Sequence, residues 1–104
     1  MVRQDAGFKL FVEDQLSGLH GVVCRGMFGG YGIYQGRTFF GIIFRGRLYF
    51  KTSEVTRARY EAAGMKPFRP NAKQTLKHYY EVPADVVEDP EELVAWAQEA
   101  FRLA

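Results

Sequence analysis

Cysteine is nearly absent from this chain of 104 residues, since Cys24 is the only one. A single cysteine cannot close a disulfide within one chain, so the disulfide framework that stabilises many small secreted proteins is excluded. The N-terminal segment also lacks the run of about seven or more apolar residues that a secretory signal contains. These absences predict a cytoplasmic protein that is stabilised by its own apolar core.

Long hydrophobic runs, internal repeats and low-complexity tracts are missing as well. The longest apolar stretch, residues 39–44, is about as long as one strand and contains Gly41, whereas a membrane helix needs about 20 apolar residues. Hydrophobic residues make up 47% of the chain and aromatic residues 15%, a composition typical of a packed globular domain. The sequence predicts one domain over residues 1–104 and no membrane partner.

Patterns that carry catalysis or metal binding are scarce. The histidines, His20 and His78, lie far apart, and with a single cysteine they would need carboxylate ligands to complete a zinc site within one chain. Six acidic residues lie between Glu81 and Glu92, where solvation and the capping of a following helix explain them. No serine occurs in a nucleophile-elbow context. The sequence predicts a protein that is not an enzyme and that has no cofactor and no metal.

Apolar residues spaced by three and four predict a first helix over residues 5–19, because this spacing places them on one helical face. That face consists of Phe8, Phe11, Val12, Leu16 and Leu19.

Four strands are predicted over residues 22–27, 31–35, 38–44 and 47–51, and a fifth over residues 75–82. The first four are joined by connections of only two or three residues, which are too short for parallel crossovers. The sheet is therefore expected to be an antiparallel meander.

Two further helices are expected. One covers residues 54–63 with a face of Val55, Ala58 and Ala62, and the other follows the capping residue Asp89. Residues 66–70 contain two prolines and are predicted to be a loop with some edge pairing. The order α-β-β-β-β-α-β-α predicts an α+β fold of two layers, in which helices cover one face of the sheet.

Glycines alternate with aromatic residues between the first two strands. This motif consists of Gly26, Phe28, Gly29, Gly30 and Tyr31. A phosphate-binding loop would need a lysine and a hydroxyl residue opening a helix, and here a strand follows. The motif predicts a tight turn with positive backbone dihedrals and a bulge.

A basic and aromatic surface is predicted on the sheet, formed by Arg25, Arg45, Arg47, Tyr49 and Lys51. Between Arg37 and Lys51 the chain has four cations and no carboxylate. Cations that neutralise phosphates beside rings that stack on bases are typical of nucleic-acid surfaces. Cations on a solvated strand also protect a sheet from unwanted pairing, so both interpretations stay open.

The third strand is apolar on both of its faces, with Phe39, Phe40, Ile42, Ile43 and Phe44. In an antiparallel sheet this pattern predicts that the second face is covered too. A second copy of the chain is one candidate for that cover, which makes these residues a candidate dimer face.

Three motifs, in order along the chain, resemble the TfoX N-terminal domain family. They are Arg25-Gly26-Met27-Phe28-Gly29-Gly30, Leu48-Tyr49-Phe50-Lys51 and Tyr79-Tyr80-Glu81-Val82-Pro83. The resemblance implies a fold similar to secretion chaperones, a class in which homodimers are usual. It also implies a role like that of competence-gene coactivators, which act with the catabolite activator protein and carry a further C-terminal helical domain. These 104 residues are expected to be a stand-alone N-terminal module.

Three function classes follow. The first is a small cytoplasmic, homodimeric module for regulation and protein interaction. The second is a nucleic-acid-binding module that uses the basic and aromatic surface. The third is a small-molecule or peptide site in a cleft beside Tyr79 and Tyr80.

Overall fold

The computed structural model describes residues 2–27 and 29–104. Its helices and strands, in chain order, are α1 (Val2–Gln15), β1 (Val22–Met27), β2 (Gly30–Gln35), β3 (Thr38–Phe44), β4 (Arg47–Lys51), α2 (Glu54–Ala62), β5 (Pro67–Asn71), β6 (Gln74–Glu81), α3 (Ala84–Val87) and α4 (Pro90–Leu103). The predicted α+β fold is confirmed, and β1, β3 and β4 have the predicted bounds.

The described residues form a six-stranded antiparallel sheet in the order β1-β2-β3-β4-β6-β5. The first four strands are the predicted meander, and β6 then pairs with β4. Residues 66–70 were predicted to be a loop with some edge pairing. The edge pairing is confirmed, but most of these residues form a regular strand, β5, which pairs with β6 at the edge of the sheet. An edge position tolerates Pro67 and Pro70, because a strand there needs hydrogen bonds on one side only.

The larger hydrophobic core lies between the sheet and the helices. From the sheet it takes Ile33, Phe40, Ile43, Leu48 and Phe50, and from α4 it takes Leu93, Trp96, Ala97 and Ala100. The last helix thus buries one face, which consists of these four residues. Among the described residues, no helix combines the length and apolar character needed to cross a membrane.

Two helical faces differ from the prediction. Helix α1 ends at Gln15, and Phe11 is 41% exposed although it was assigned to the buried face. On α2 the predicted face is wrong, since Val55 is 83% exposed and the buried residue is Tyr60. The Tyr60 ring packs edge-on against Trp96, with 4.8 Å between centroids, so one large ring replaces the contact expected from small side chains.

A β-bulge in β3 decides which of its side chains face the helices. In the pairing of β2 with β3, Ile33 lies opposite Gly41, but the next residue, Tyr34, lies opposite Phe39. Phe40 is therefore the extra residue of the bulge. Phe40 therefore joins the helix-side core, while Phe39 packs in the cluster on the opposite face. A Cβ atom at Gly41 would lie 3.1 Å from the Phe50 ring, so glycine at this position lets Phe50 pack closely against β3.

A second, smaller core lies on the opposite face of the sheet. Its buried residues are Ile42, Tyr49 and Phe68. The Phe68 ring comes from β5 and lies 4.7 Å from the Tyr49 ring and 5.3 Å from the Phe44 ring, between centroids. The predicted cover over the second face of β3 is confirmed, and the β5–β6 hairpin of the same chain supplies it.

Candidate interaction surface on the helix-free face

The helix-free face is the side of the sheet that carries Ile42, Tyr49 and Phe68. One row of it can be followed across the strands, since Arg25 pairs with Gly32, Gly32 with Ile42, Ile42 with Tyr49, and Tyr49 with Glu81. Directly paired residues of antiparallel strands point to the same side of a sheet. Arg25 and Tyr49 therefore share one face, as the sequence predicted.

Three half-buried rings form an aromatic row on this face: Tyr34 from β2, Phe39 from β3 and Tyr79 from β6. The ring centroids of Tyr34 and Phe39 are 5.3 Å apart, and those of Phe39 and Tyr79 are 5.5 Å apart. These separations fall in the range of favourable aromatic pairs. Burial raises the pKa of the Tyr79 phenol, and the neighbouring Tyr34 raises it further. The row is a continuous apolar strip.

A cation lies over each end of the aromatic row. The Arg25 guanidinium is 5.4 Å from the centroid of the Tyr34 ring, and the Lys51 ammonium is 5.4 Å from that of the Tyr79 ring. Cations at this distance are attracted by the electron-rich ring face. Neither cation is in an ion pair with a carboxylate of the described residues. Both charges are therefore available to a bound partner.

The other two predicted cations, Arg45 and Arg47, are placed differently. The Arg47 Nη1 atom lies 2.9 Å from Glu81 Oε1, and this hydrogen-bonded partner raises the pKa of Arg47. The Arg45 guanidinium lies 5.0 Å from the centroid of the Phe44 ring. Because Arg47 and Lys51 stand at opposite ends of β4, the predicted basic surface divides into two parts.

Tyr49 is not available for stacking on a base. It is only 8% exposed, because Phe68 packs over it. Burial, followed by the charge of Glu81, raises the pKa of its phenol. The sequence correctly predicted the side of the sheet on which Tyr49 lies, but it did not predict that the β5–β6 hairpin covers this residue. Tyr34, Phe39 and Tyr79 are the aromatic residues that the prediction of this surface missed.

The glycine motif forms the turn between β1 and β2. The predicted positive dihedral lies at Gly29, whose φ is 80°. Gly30 is required for another reason, since a Cβ atom there would lie 2.1 Å from the backbone oxygen of Ile43. Tyr31 packs against the helix-side core, Gly26 has open space around it, and Phe28 lies outside the described residues. The bulge occurs farther along, at Phe40.

The candidate dimer face is not a surface in the folded chain. Phe40, Ile42 and Ile43 are fully buried, and only Phe39 and Phe44 reach solvent. The helices cover Phe40 and Ile43, while Phe68 covers Ile42. Phe39 instead becomes the centre of the aromatic row.

Tyr79 and Tyr80 do not share a cleft, because consecutive strand residues point to opposite faces. Tyr79 lies in the aromatic row, whereas the Tyr80 hydroxyl donates a hydrogen bond to Glu61 Oε2 at 3.2 Å on the helix side.

Cys24 is half-buried, and burial together with Glu13 raises its pKa from 9.0 to about 12. The thiol is therefore protonated at neutral pH. Within residues 2–27 and 29–104 no group of three metal-binding side chains comes together.

A family model described as the TfoX N-terminal domain matches residues 14–104. The matched segment contains the whole sheet, the aromatic row and both of its cations. No curated protein matches the chain.

Proposed function

Because the chain belongs to the TfoX N-terminal domain family, a family of regulatory domains, we propose that it is a cytoplasmic protein-interaction module of competence-type gene regulation. Its binding surface is the aromatic row with Arg25 and Lys51. The observation that carries this proposal is the geometry of that surface, in which three adjoining rings end in two cations that lie over the terminal rings.

The composition of the row suits a protein partner. Aromatic and arginine side chains are enriched among the residues that dominate binding energy at protein interfaces. The Phe39 and Tyr79 rings pack against the buried residues Ile42, Tyr49 and Phe68, so part of the row is held in place before binding. A surface that is already ordered loses less entropy when a partner docks.

The two cations define the chemistry of the partner. A complementary surface presents apolar groups to the rings and a carboxylate to each of Arg25 and Lys51. The family resemblance points to the catabolite activator protein as the transcription regulator that provides this surface.

Reversing both charges tests the proposal. Arg25→Glu with Lys51→Glu is expected to weaken binding to purified catabolite activator protein at least about tenfold, since about 1.4 kcal/mol of lost attraction has this effect. Calorimetric titration measures the dissociation constant. The melting temperature should change little, because Arg25 is exposed and Lys51 only partly buried, and substitutions of surface charges usually cost little stability.

Lys66→Glu is the matched control. Lys66 is exposed beside the end of α2, away from the helix-free face, and its reversal should leave the affinity unchanged. The proposal fails if the native chain does not bind, or if the double variant binds as tightly as the native chain.

Nucleic-acid binding is the second candidate, and one observation favours it. Arg25 and Lys51 lie over rings on the same face as Arg47, an arrangement in which phosphates and bases could both find contacts. The buried Tyr49 and the Arg47–Glu81 pair argue for the protein partner instead.

Salt dependence separates the two candidates. The logarithm of a nucleic-acid affinity falls with the logarithm of salt concentration by about 0.7 to 0.9 for each phosphate contact. Fluorescence anisotropy of labelled duplex and single-stranded DNA at two salt concentrations measures this slope. Salt-sensitive binding that the double variant loses would assign the surface to nucleic acid, and no binding at low salt would leave the protein partner.

A further inference from the structure

Positive charge is concentrated in one segment that the proposed function does not use. Between Glu61 and Glu81 the chain has four cations and no carboxylate. These four charges are twice the formal net charge of the whole chain, +2, so the remaining residues are net negative. The segment contains the β5–β6 hairpin. An excess of one sign in one element attracts a partner of the opposite sign.

Three of these cations lie on the hairpin: Arg69 on β5, Lys73 in the turn and Lys77 on β6. The fourth, Lys66, precedes β5. All three hairpin cations are exposed, and none is in an ion pair with a carboxylate of the described residues. Their charges are therefore open to a ligand.

The hairpin is ordered before any ligand binds. Its inner side packs on the sheet through Phe68, which is fully buried. At the tip, the Arg69 Nη2 atom donates a hydrogen bond to the backbone oxygen of Ala72 at 3.1 Å, and the backbone N–H of Lys73 donates one to Asn71 Oδ1 at 2.9 Å. The cations are therefore carried by a fixed backbone, which lowers the entropy lost on binding.

Protection of the sheet edge does not account for these charges. Lysines on an edge strand keep other strands from pairing with it. Here Pro67, Pro70 and two register shifts already protect β5. Lys73 and Lys77 lie in the turn and on β6, which stands between β4 and β5 and is not an edge strand. The excess of charge therefore points to a ligand.

The surroundings of the hairpin cations select phosphates. None of the exposed residues from 69 to 78 is a Phe, Tyr or Trp, and the largest apolar one is Ala72. The surface thus has neither the aromatic centre of a protein interface nor a bulky apolar group to enter a membrane. It also offers none of the aromatic platforms on which unpaired bases stack. Contacts from lysine and arginine to phosphates, by contrast, position a protein on a duplex.

We propose that the β5–β6 hairpin binds the phosphate backbone of duplex DNA through Arg69, Lys73 and Lys77. This site goes beyond the proposed function, because it uses a different set of cations and leaves the aromatic row to the protein partner. The choice of DNA over duplex RNA is the one part that rests on the proposed role in gene regulation. The binding is independent of base sequence, since phosphate contacts carry no direct sequence information.

Fluorescence anisotropy of a labelled DNA duplex tests the site. Lys73→Glu with Lys77→Glu reverses two of the three contacts and is expected to raise the dissociation constant of the duplex at least about tenfold. The plot of the logarithm of affinity against the logarithm of salt concentration should also become shallower, by about 0.9 for each lost contact. The melting temperature should stay close to the native value, because both residues are exposed.

Arg25→Glu with Lys51→Glu is the matched control, since it changes the net charge by the same amount on the aromatic row. This variant should bind the duplex nearly as tightly as the native chain. Conversely, the variant of Lys73 and Lys77 should bind catabolite activator protein as the native chain does. Failure of the hairpin site is thereby distinguished from failure of the proposed function.

A native chain that does not bind the duplex at low salt would overturn the proposal, and so would equal losses of affinity in the two double variants. Tighter binding to duplex RNA of the same sequence would overturn the choice of DNA. Poly-glutamate that displaces the duplex at an equal concentration of charge would overturn the proposal in favour of an acidic protein partner.

Discussion

Gly29 and Gly30 are adjacent but serve different purposes. Gly29 has a positive φ of 80°, a conformation that costs other residues about 1 kcal/mol. Gly30 lies so close to β3 that a Cβ atom would overlap the backbone oxygen of Ile43, at 2.1 Å. A backbone atom cannot move aside as a flexible side chain can. The second glycine is therefore the more demanding position.

The expected order of destabilisation follows from this difference. Gly30→Ala should lower the free energy of unfolding by about 2–3 kcal/mol, as overpacking does, and Gly29→Ala by about 1 kcal/mol. Urea denaturation measures both values. Gly26→Ala is the control, since a Cβ atom at Gly26 meets open space. Equal stability of the Gly30→Ala and Gly26→Ala variants would refute the close approach.

At the scale of single residues, the sequence could predict the side of a strand but not what covers it. Alternation along β4 correctly assigned Tyr49 to the face that Arg25 shares. The burial of Tyr49 under Phe68 depends on where a later hairpin folds, which no local spacing encodes. In α2, small apolar residues at helical spacing suggested a buried face, yet Tyr60 is the residue with enough area to anchor that helix.

Among the elements, the β5–β6 hairpin links stability to the candidate surface. Its Phe68 side chain is fully buried and contacts Tyr49 and Phe44. The cluster that it completes also supports Phe39 and Tyr79. Loss of this one ring should therefore loosen the helix-free face.

Phe68→Ala is expected to lower the free energy of unfolding by about 3–5 kcal/mol, because it removes apolar contacts and leaves a cavity. Phe68→Leu should cost less, since it fills more of the space. Urea denaturation compares the two variants. If Phe68→Ala unfolds with native stability, the hairpin does not form the cover described.

Element bounds followed the sequence where the local pattern was regular. The short connections of the meander fixed β1 to β4, and the Asp89 cap is confirmed by hydrogen bonds that its side chain accepts from the backbone N–H groups of Glu91 and Glu92. The bulge at Phe40 was not predicted, because one inserted residue changes the alternation only locally. The one sequence feature that indicated this bulge is the pair of adjacent aromatic residues, Phe39 and Phe40.

Over the whole molecule, the two faces of the sheet differ in what they bury. The helices bury the larger core on one side, while the other side holds a small core and a strip of rings that stays partly in water. The motifs that resemble the TfoX N-terminal domain predicted the fold, and the family match confirmed the resemblance. The aromatic row was not predicted, because Tyr79 reaches it only through the insertion of β6 beside β4.

The central claim is that the helix-free face, and not the helical layer, binds the partner. Solution NMR of the isotopically labelled chain, titrated with unlabelled catabolite activator protein, tests this most directly. The largest changes in signal position and intensity are predicted at Arg25, Tyr34, Phe39, Lys51 and Tyr79. Changes that cluster on α2 and α4, with the aromatic row unperturbed, would contradict the account.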